Sequence, residues 1–187
     1  MARIIAAINI TIDGVSDHTA GIPDEELHQH YTELLSQADT IIYGRTTFQL
    51  MESYWPLIVK EPTGNKALDD FAIAIENIPK IVFSNTLTSE QVAAVWKNAR
   101  LAKSNIEEEV MELKQQKDKD ILVGSPGMID SLTKLNLIDE YQLCIHPVIA
   151  GKGRTLFNKA DRTLLQLSKT KVFGSGAIVL YYEHIPR

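Results

Sequence analysis

The chain has 187 residues, enough for one domain with a substantial core and too few for two ordinary ones. Apolar residues make up 44% and charged residues 23%, which excludes a mainly disordered chain. With 19 Lys and Arg against 24 Asp and Glu, the formal charge is −5, so nucleic acid and anionic lipid have no general attraction for it and any bound anion must be held locally.

Residues 3–10 are short, apolar and β-branched and read as a buried first strand. Their apolar run could pass for the start of a signal peptide. Asn9, Thr11 and Asp13 end it too early, and no small-residue cleavage site follows. Asp13-Gly14 closes the strand, and residues 14–22 form a polar loop. Pro23 and Asp24 open a helix whose face carries Leu27, Tyr31, Leu34, Leu35 and Ala38. Thr40 to Tyr43 is a second apolar run, closed by Gly44, and Thr46 or Thr47 can cap a short helix bearing Phe48 and Met51. Trp55 to Gly64, with Pro56 and Pro62, reads as a loop. Ala67 to Ile75 reads as a helix and Lys80 to Phe83 as a strand, followed by the turn Ser84-Asn85-Thr86.

Residues 87–103 allow a loop or short helix and then a brief strand near 99–102. Asn105 caps a helix with Glu107, Glu108 and Glu109 in its first turn, an acidic run that reads as a solvated face. Ile121 to Val123 is a strand ending in Gly124-Ser125-Pro126-Gly127, and a helix with Met128, Ile129, Leu132 and Leu135 follows. Tyr141 to Ile149 reads as a long strand and Gly151-Lys152-Gly153 as a turn. Residues 164–173 and 177–184 flank Gly174-Ser175-Gly176 as a β-hairpin. Alternating strands and helices that give way to consecutive strands predict a three-layer α/β fold. Its mixed sheet is mostly parallel, with an antiparallel C-terminal hairpin. With no repeat, linker or low-complexity tract, residues 1–187 are expected to form a single domain.

Three predicted strands end in similar chemistry: Gly44-Arg45-Thr46, Ser84-Asn85-Thr86 and Gly124-Ser125-Pro126-Gly127. The first and third lead into helices, whose N-termini offer unpaired N–H groups and partial positive charge to a phosphate. Arg45 adds a fork of donors suited to a terminal phosphate, such as the 2′-phosphate of a dinucleotide. Each loop alone also reads as a turn, a helix cap or a surface charge. The dinucleotide fingerprint G-x-G-x-x-G is absent: Gly151-x-Gly153 runs into Arg154, Thr155 and Leu156 between β segments and reads as turn chemistry.

Together these segments resemble the dihydrofolate reductase-like superfamily, specifically the branch containing the C-terminal reductase domain of the bifunctional riboflavin-biosynthesis deaminase-reductase. The matching pieces are Thr11-Ile12-Asp13-Gly14, Ala38-Asp39 with Ile42 to Thr47, Pro79 to Ser84, and Ile121 to Ser125. The most specific piece runs from Leu137-Ile138-Asp139-Glu140-Tyr141 through His146-Pro147-Val148-Ile149 to Gly151-Lys152-Gly153 and Leu156-Phe157. The resemblance implies NADPH lying across the strand ends. Arg45 and Thr46 would take the 2′-phosphate, helped by Ser84 and Asn85. Gly44 would belong to the same cofactor-binding set, and Gly124, Ser125 and Gly127 would take the pyrophosphate. It also implies hydride transfer to a pterin or a ribosylated pyrimidine, and a homodimer. One departure is that Asp24, Glu25 and Glu26 crowd the start of the first helix, where dihydrofolate reductases carry one pterin-anchoring acid.

Further candidates each carry two readings. Asp13 could orient substrate or deliver a proton, or simply fix its turn. Glu26 could anchor substrate or stabilise a helix end. Asn9 could face the cleft or be a satisfied buried amide, and Tyr54 and Trp55 could stack on a flat substrate or cover the core. His28 and His30 point to different sides of a helix, His146 reads as packed, and Cys144 as a small hydrophobe, so no metal site is expected. The one cysteine also excludes an internal disulfide and fits a reducing, cytoplasmic compartment, and no segment approaches the roughly 20 apolar residues of a membrane span. The expected function is NADPH-dependent reduction of a small nitrogen heterocycle. The rivals are dinucleotide binding without turnover and an enzyme acting on a phosphorylated sugar.

Overall fold

A computed structural model describes residues 1–158 and 160–185. Eight strands form one sheet in the order β4-β3-β2-β5-β1-β6-β8-β7. The strands are β1 (Ile4–Thr11), β2 (Ala38–Gly44), β3 (Lys80–Phe83), β4 (Ala99–Leu101), β5 (Asp120–Val123), β6 (Glu140–His146), β7 (Leu165–Val172) and β8 (Ile178–His184). The strands from β4 to β6 pair in parallel, and β8 and β7 add antiparallel. This is the mixed sheet with a C-terminal hairpin that the segment pattern predicts.

The helices are α1 (Glu25–Gln37), α2 (Arg45–Glu52), α3 (Trp55–Lys60), α4 (Lys66–Asn77), α5 (Ser89–Val95), α6 (Ile106–Gln116) and α7 (Pro126–Lys134). Strand alternation sorts them into two layers. Ile4, Ala6 and Ile8 of β1 pack with Val110 and Leu113 of α6 and Ile129 and Leu132 of α7. Ile5 of the same strand packs with Leu35 of α1, Phe48 of α2, Ile75 of α4 and Val92 of α5. Because β1 is covered on both faces, its sequence is apolar without a break from Ile4 to Ile8.

Four expectations need correction. Residues 55–60 form α3, not a loop, because Pro56 sits in the first turn, where a helix needs no N–H from it. Ala38 leaves the helix and opens β2 in an extended conformation. The long strand near Tyr141 stops at His146, since Pro147 has no N–H to give a ladder. Glu109 is not solvated: it is buried against Arg100 Nη2 at 2.6 Å and the Lys103 N–H at 2.6 Å.

The most specific sequence piece, around Asp139-Glu140, secures the end of the sheet opposite the strand C-termini. Asp139 accepts from the Ile4 N–H and from Lys114 Nζ, and Glu140 accepts from Arg3 and Gln142.

The hairpin closes a smaller cluster of Leu27, Cys144, Phe173, Val179 and Tyr181. His30 is buried beside this cluster, its ring 5.6 Å from that of Phe173. Burial, with Lys171 nearby, lowers its pKa to about 4. Unfolded, the imidazole takes its proton near pH 6.5, so between pH 6.5 and about 4 the unfolded chain binds more protons than the folded one. Stability is therefore expected to fall as pH drops through that window, by up to about 3 kcal/mol from this group. His30→Phe should flatten the fall in urea midpoint between pH 7 and pH 4. An unchanged pH dependence would contradict the assignment.

Candidate functional site

Parallel pairing places the C-terminal ends of β3, β2 and β5 side by side, and the three segments singled out in the sequence begin there. Side chains stitch them together. Arg45 Nη1 donates to Thr86 Oγ1 at 3.0 Å, and the Gly44 N–H donates to Ser125 Oγ at 3.0 Å. Arg45, Thr46 and Asn85 are exposed along this rim. Ser84 Oγ accepts from the Thr86 and Leu87 N–H groups and shapes the turn. A cleft of about 850 Å³ opens against these residues, lined by Arg45, Phe83, Ser84, Asn85 and Thr86 from one side. Ser104 and Asn105 of the β4–α6 connection and Glu107 of α6 line it from the other, a contribution the sequence reading missed.

The start of α7 is left open by the same stitching. Ser125 occupies its N-cap, but the hydroxyl is not turned back to cap the helix, being committed to Gly44. Pro126 has no N–H, and the N–H groups of Gly127 and Met128, in the first turn, have no intrahelical acceptor. As the donor of one proton and holder of two lone pairs, the Ser125 hydroxyl can accept from Gly44 and still donate toward the rim.

The other candidates are engaged with groups of the chain itself. The carboxylate of Asp13 accepts from Thr11 Oγ1 at 2.5 Å and from the N–H groups of Ala150 and Gly151 at 3.0 and 2.8 Å. These bonds hold its pKa at about 2. Glu26 accepts from the Gly174 N–H at 2.7 Å, at the tip of the β7–β8 hairpin. Asn9 Oδ1 accepts from the Tyr31 hydroxyl and lies 3.1 Å from His146 Nε2. His146 is buried, and its Nδ1 accepts from the Ile22 N–H, so the proton sits on Nε2 and points at Asn9. Burial lowers the His146 pKa, which keeps the ring neutral at pH 7. Burial also pushes the Cys144 thiol up to about 12, leaving it a thiol. Trp55 packs on Phe71 with ring centroids 4.6 Å apart and joins the core beneath α3 and α4, whereas Tyr54 is exposed.

The sequence profile of the RibD C-terminal domain matches residues 2–179. The chain belongs to this family. It is 35% identical over 186 residues to the uncharacterized protein YyaP of Bacillus subtilis (strain 168), covering 97% of this chain and 94% of that one. Among solved structures, a Shewanella sp. PV-4 protein assigned to riboflavin biosynthesis superposes with a TM-score of 0.73 at 19% identity, over the whole of both chains. A Thermotoga maritima diaminohydroxyphosphoribosylaminopyrimidine deaminase/5-amino-6-(5-phosphoribosylamino)uracil reductase gives 0.67 at 16% identity, covering 98% of this chain and 57% of that one. The RibD C-terminal fold is dihydrofolate reductase-like, as the ordered motifs imply. Among the described residues, no helix of this RibD-family chain is long and apolar enough to cross a membrane.

Proposed function

We propose that this protein is an NADPH-dependent reductase that passes hydride to a small flat nitrogen heterocycle of the pterin or ribosylated-pyrimidine type. One observation carries the reading. An acidic chain gathers an exposed guanidinium, hydroxyls and an open helix N-terminus along a single rim of adjacent strand ends. That donor set suits a ligand with several phosphates. The reductase named in the Thermotoga relative supports a pyrimidine-type acceptor.

In this reading Arg45 and Thr46, with Ser84 and Asn85, hold the 2′-phosphate end. Gly44 shapes the turn between them, and Gly124, Ser125 and Gly127 let the pyrophosphate approach the start of α7. The bound nicotinamide supplies the hydride. The chain's own task is to orient cofactor and acceptor and to exclude water. Asp13 is ionised at neutral pH and tied to the 150–151 backbone, so its role is to position that loop. Glu26 is tied to the hairpin tip. The proton that accompanies reduction is therefore assigned to water. Asn9, fixed by Tyr31 and His146, and exposed Tyr54 remain the substrate-side candidates, while Trp55 supports them from the core. The single buried Cys144 suits a reducing, cytoplasmic setting.

The decisive assay is acceptor-dependent loss of reduced nicotinamide absorbance across a panel of pterins and ribosylated pyrimidines. Turnover with at least one acceptor is expected. Tight NADPH binding with no turnover on any of them would favour the second reading, a dinucleotide-binding protein without catalysis. The engagement of Asp13 and Glu26 elsewhere is what motivates that alternative.

The partner is proposed to be a second copy of the chain. On the sheet face carrying α6 and α7, Leu167 and Val172 of β7 align with Tyr182 and Ile178 of β8. Leu167 is 49% exposed and Val172 68% exposed. An apolar sheet face of this kind can bury itself against its own symmetry mate. Light scattering is expected to give a dimer, and Leu167→Asp with Val172→Asp a folded monomer. A wild-type monomer at tens of micromolar would contradict this.

A further inference from the structure

Arg154, which the sequence presents as part of a glycine turn, lies against the open start of α7. A methyl group built on Gly127 would sit 3.7 Å from Arg154 Nη2 and 3.9 Å from Nη1. The guanidinium therefore rests directly over the helix's first turn, in space that the missing Gly127 side chain leaves free. The residue is exposed, and among the described residues no carboxylate pairs with its guanidinium. A cation beside a helix N-terminus has the wrong sign for the dipole. An anion between the two would turn that repulsion into two attractions.

The loop that carries Arg154 is fastened at several points. The Ser16 N–H and hydroxyl both donate to the Arg154 carbonyl, at 2.9 and 3.2 Å. The Leu156 N–H donates to the Gly14 carbonyl at 3.0 Å, and Val15 and Thr155 form a bridge between them. Asp13 grips Ala150 and Gly151 upstream. Gly153 packs so closely that a side chain there would lie 2.6 Å from Val15 Cγ1. The Asp13-Gly14 turn and the Gly151-Lys152-Gly153 turn thus form one two-stranded clasp. Its product is a fixed backbone for Arg154, whose guanidinium lies beside Gly127.

We propose that Arg154 is a second phosphate-binding cation. It would close over a pyrophosphate held at the start of α7, while Arg45 holds the far end of the same ligand. This rests on the cofactor reading above, but its chemistry requires only a pyrophosphate group. The probes are NADPH, inorganic pyrophosphate and adenosine 2′-monophosphate, titrated calorimetrically into wild type, Arg154→Gln and Arg154→Lys, with melting temperatures to confirm folding. Arg154→Gln is expected to weaken NADPH by about 10-fold or more and to abolish pyrophosphate binding. It should leave adenosine 2′-monophosphate unchanged, since that probe lacks the group Arg154 would hold. Arg154→Lys should fall between.

Wild-type affinity for NADPH and pyrophosphate in folded Arg154→Gln would overturn the proposal. An equal loss for all three probes would also overturn it, because it would mean only a diffuse field. Arg154-dependent binding of pyrophosphate without any binding of NADPH would support the anion site while removing the cofactor reading. No binding of any probe to wild type would remove both.

Discussion

Replacing Arg45 with glutamine is expected to weaken NADPH binding by about 10- to 100-fold while leaving NADH binding nearly unchanged. The guanidinium is exposed at the rim and already reaches across to Thr86 from the end of the neighbouring strand. A charge-assisted contact to a phosphate contributes roughly 1.5–3 kcal/mol, which converts to that range of affinity. NADH has no 2′-phosphate for the guanidinium to meet, so the substitution should remove selectivity between the two coenzymes and leave the weaker affinity. Arg45→Lys keeps the charge but not the planar fork, and is expected to recover only part of the preference. Calorimetric titration of both coenzymes into the three proteins measures this. An Arg45→Gln protein that still prefers NADPH as strongly as wild type would contradict the assignment.

The largest stability effect is expected at Gly153. Its φ is +124°, a conformation that side-chain-bearing residues rarely adopt, and a Cβ would lie 2.6 Å from Val15 Cγ1. Val15 is buried and bridges to Thr155, so it cannot simply move aside. Strain and overpacking together predict a loss of roughly 2–5 kcal/mol for Gly153→Ala. In a chain of this size that is a fall in melting temperature of about 5–15 °C. Adding Val15→Ala should relieve the steric part and leave the backbone part. Gly151→Ala is the control: φ there is +71° but nothing lies within 4 Å of the added carbon, so about 1 kcal/mol is expected. Gly153→Ala within 0.5 kcal/mol of wild type, the usual range of an innocuous surface change, would show that the clasp is not rigid.

The legible parts of this fold were those whose physics is local. The apolar, β-branched run Ile4 to Ile8 is too short for a helix and reads as a buried strand, and Asp24 and Asn105 announce helices through bonds to backbone three residues on. The rim was legible because Gly44 ends a strand and Ser84 and Gly124 each follow one, and parallel order brings such ends together. What escaped depends on partners distant in sequence. The bond acceptor role of Asp13 involves Ala150 and Gly151, 137 and 138 residues away, so a turn residue and a cleft residue look alike in the sequence. Glu109 looked solvated because its partner Arg100 sits on a three-residue strand with little pattern of its own. Lys80 is buried, its ammonium donating to the Ile78 carbonyl at 2.8 Å and standing 4.5 Å over the Trp96 ring, and nothing in a strand's alternation forecasts that. Arg154 was missed for a related reason. The glycines beside it drew attention to the turn, and only the tertiary clasp shows that the turn delivers a cation to α7.

The proposed function requires an acidic chain to hold a polyanionic coenzyme by backbone dipoles and local cations. Side-by-side calorimetric titration of the wild-type protein with NADPH and NADH tests it most directly. NADPH is predicted to bind at least about 10-fold more tightly than NADH, with the difference shrinking as salt is raised. Failure to bind either coenzyme, or equal affinity for both, would contradict it.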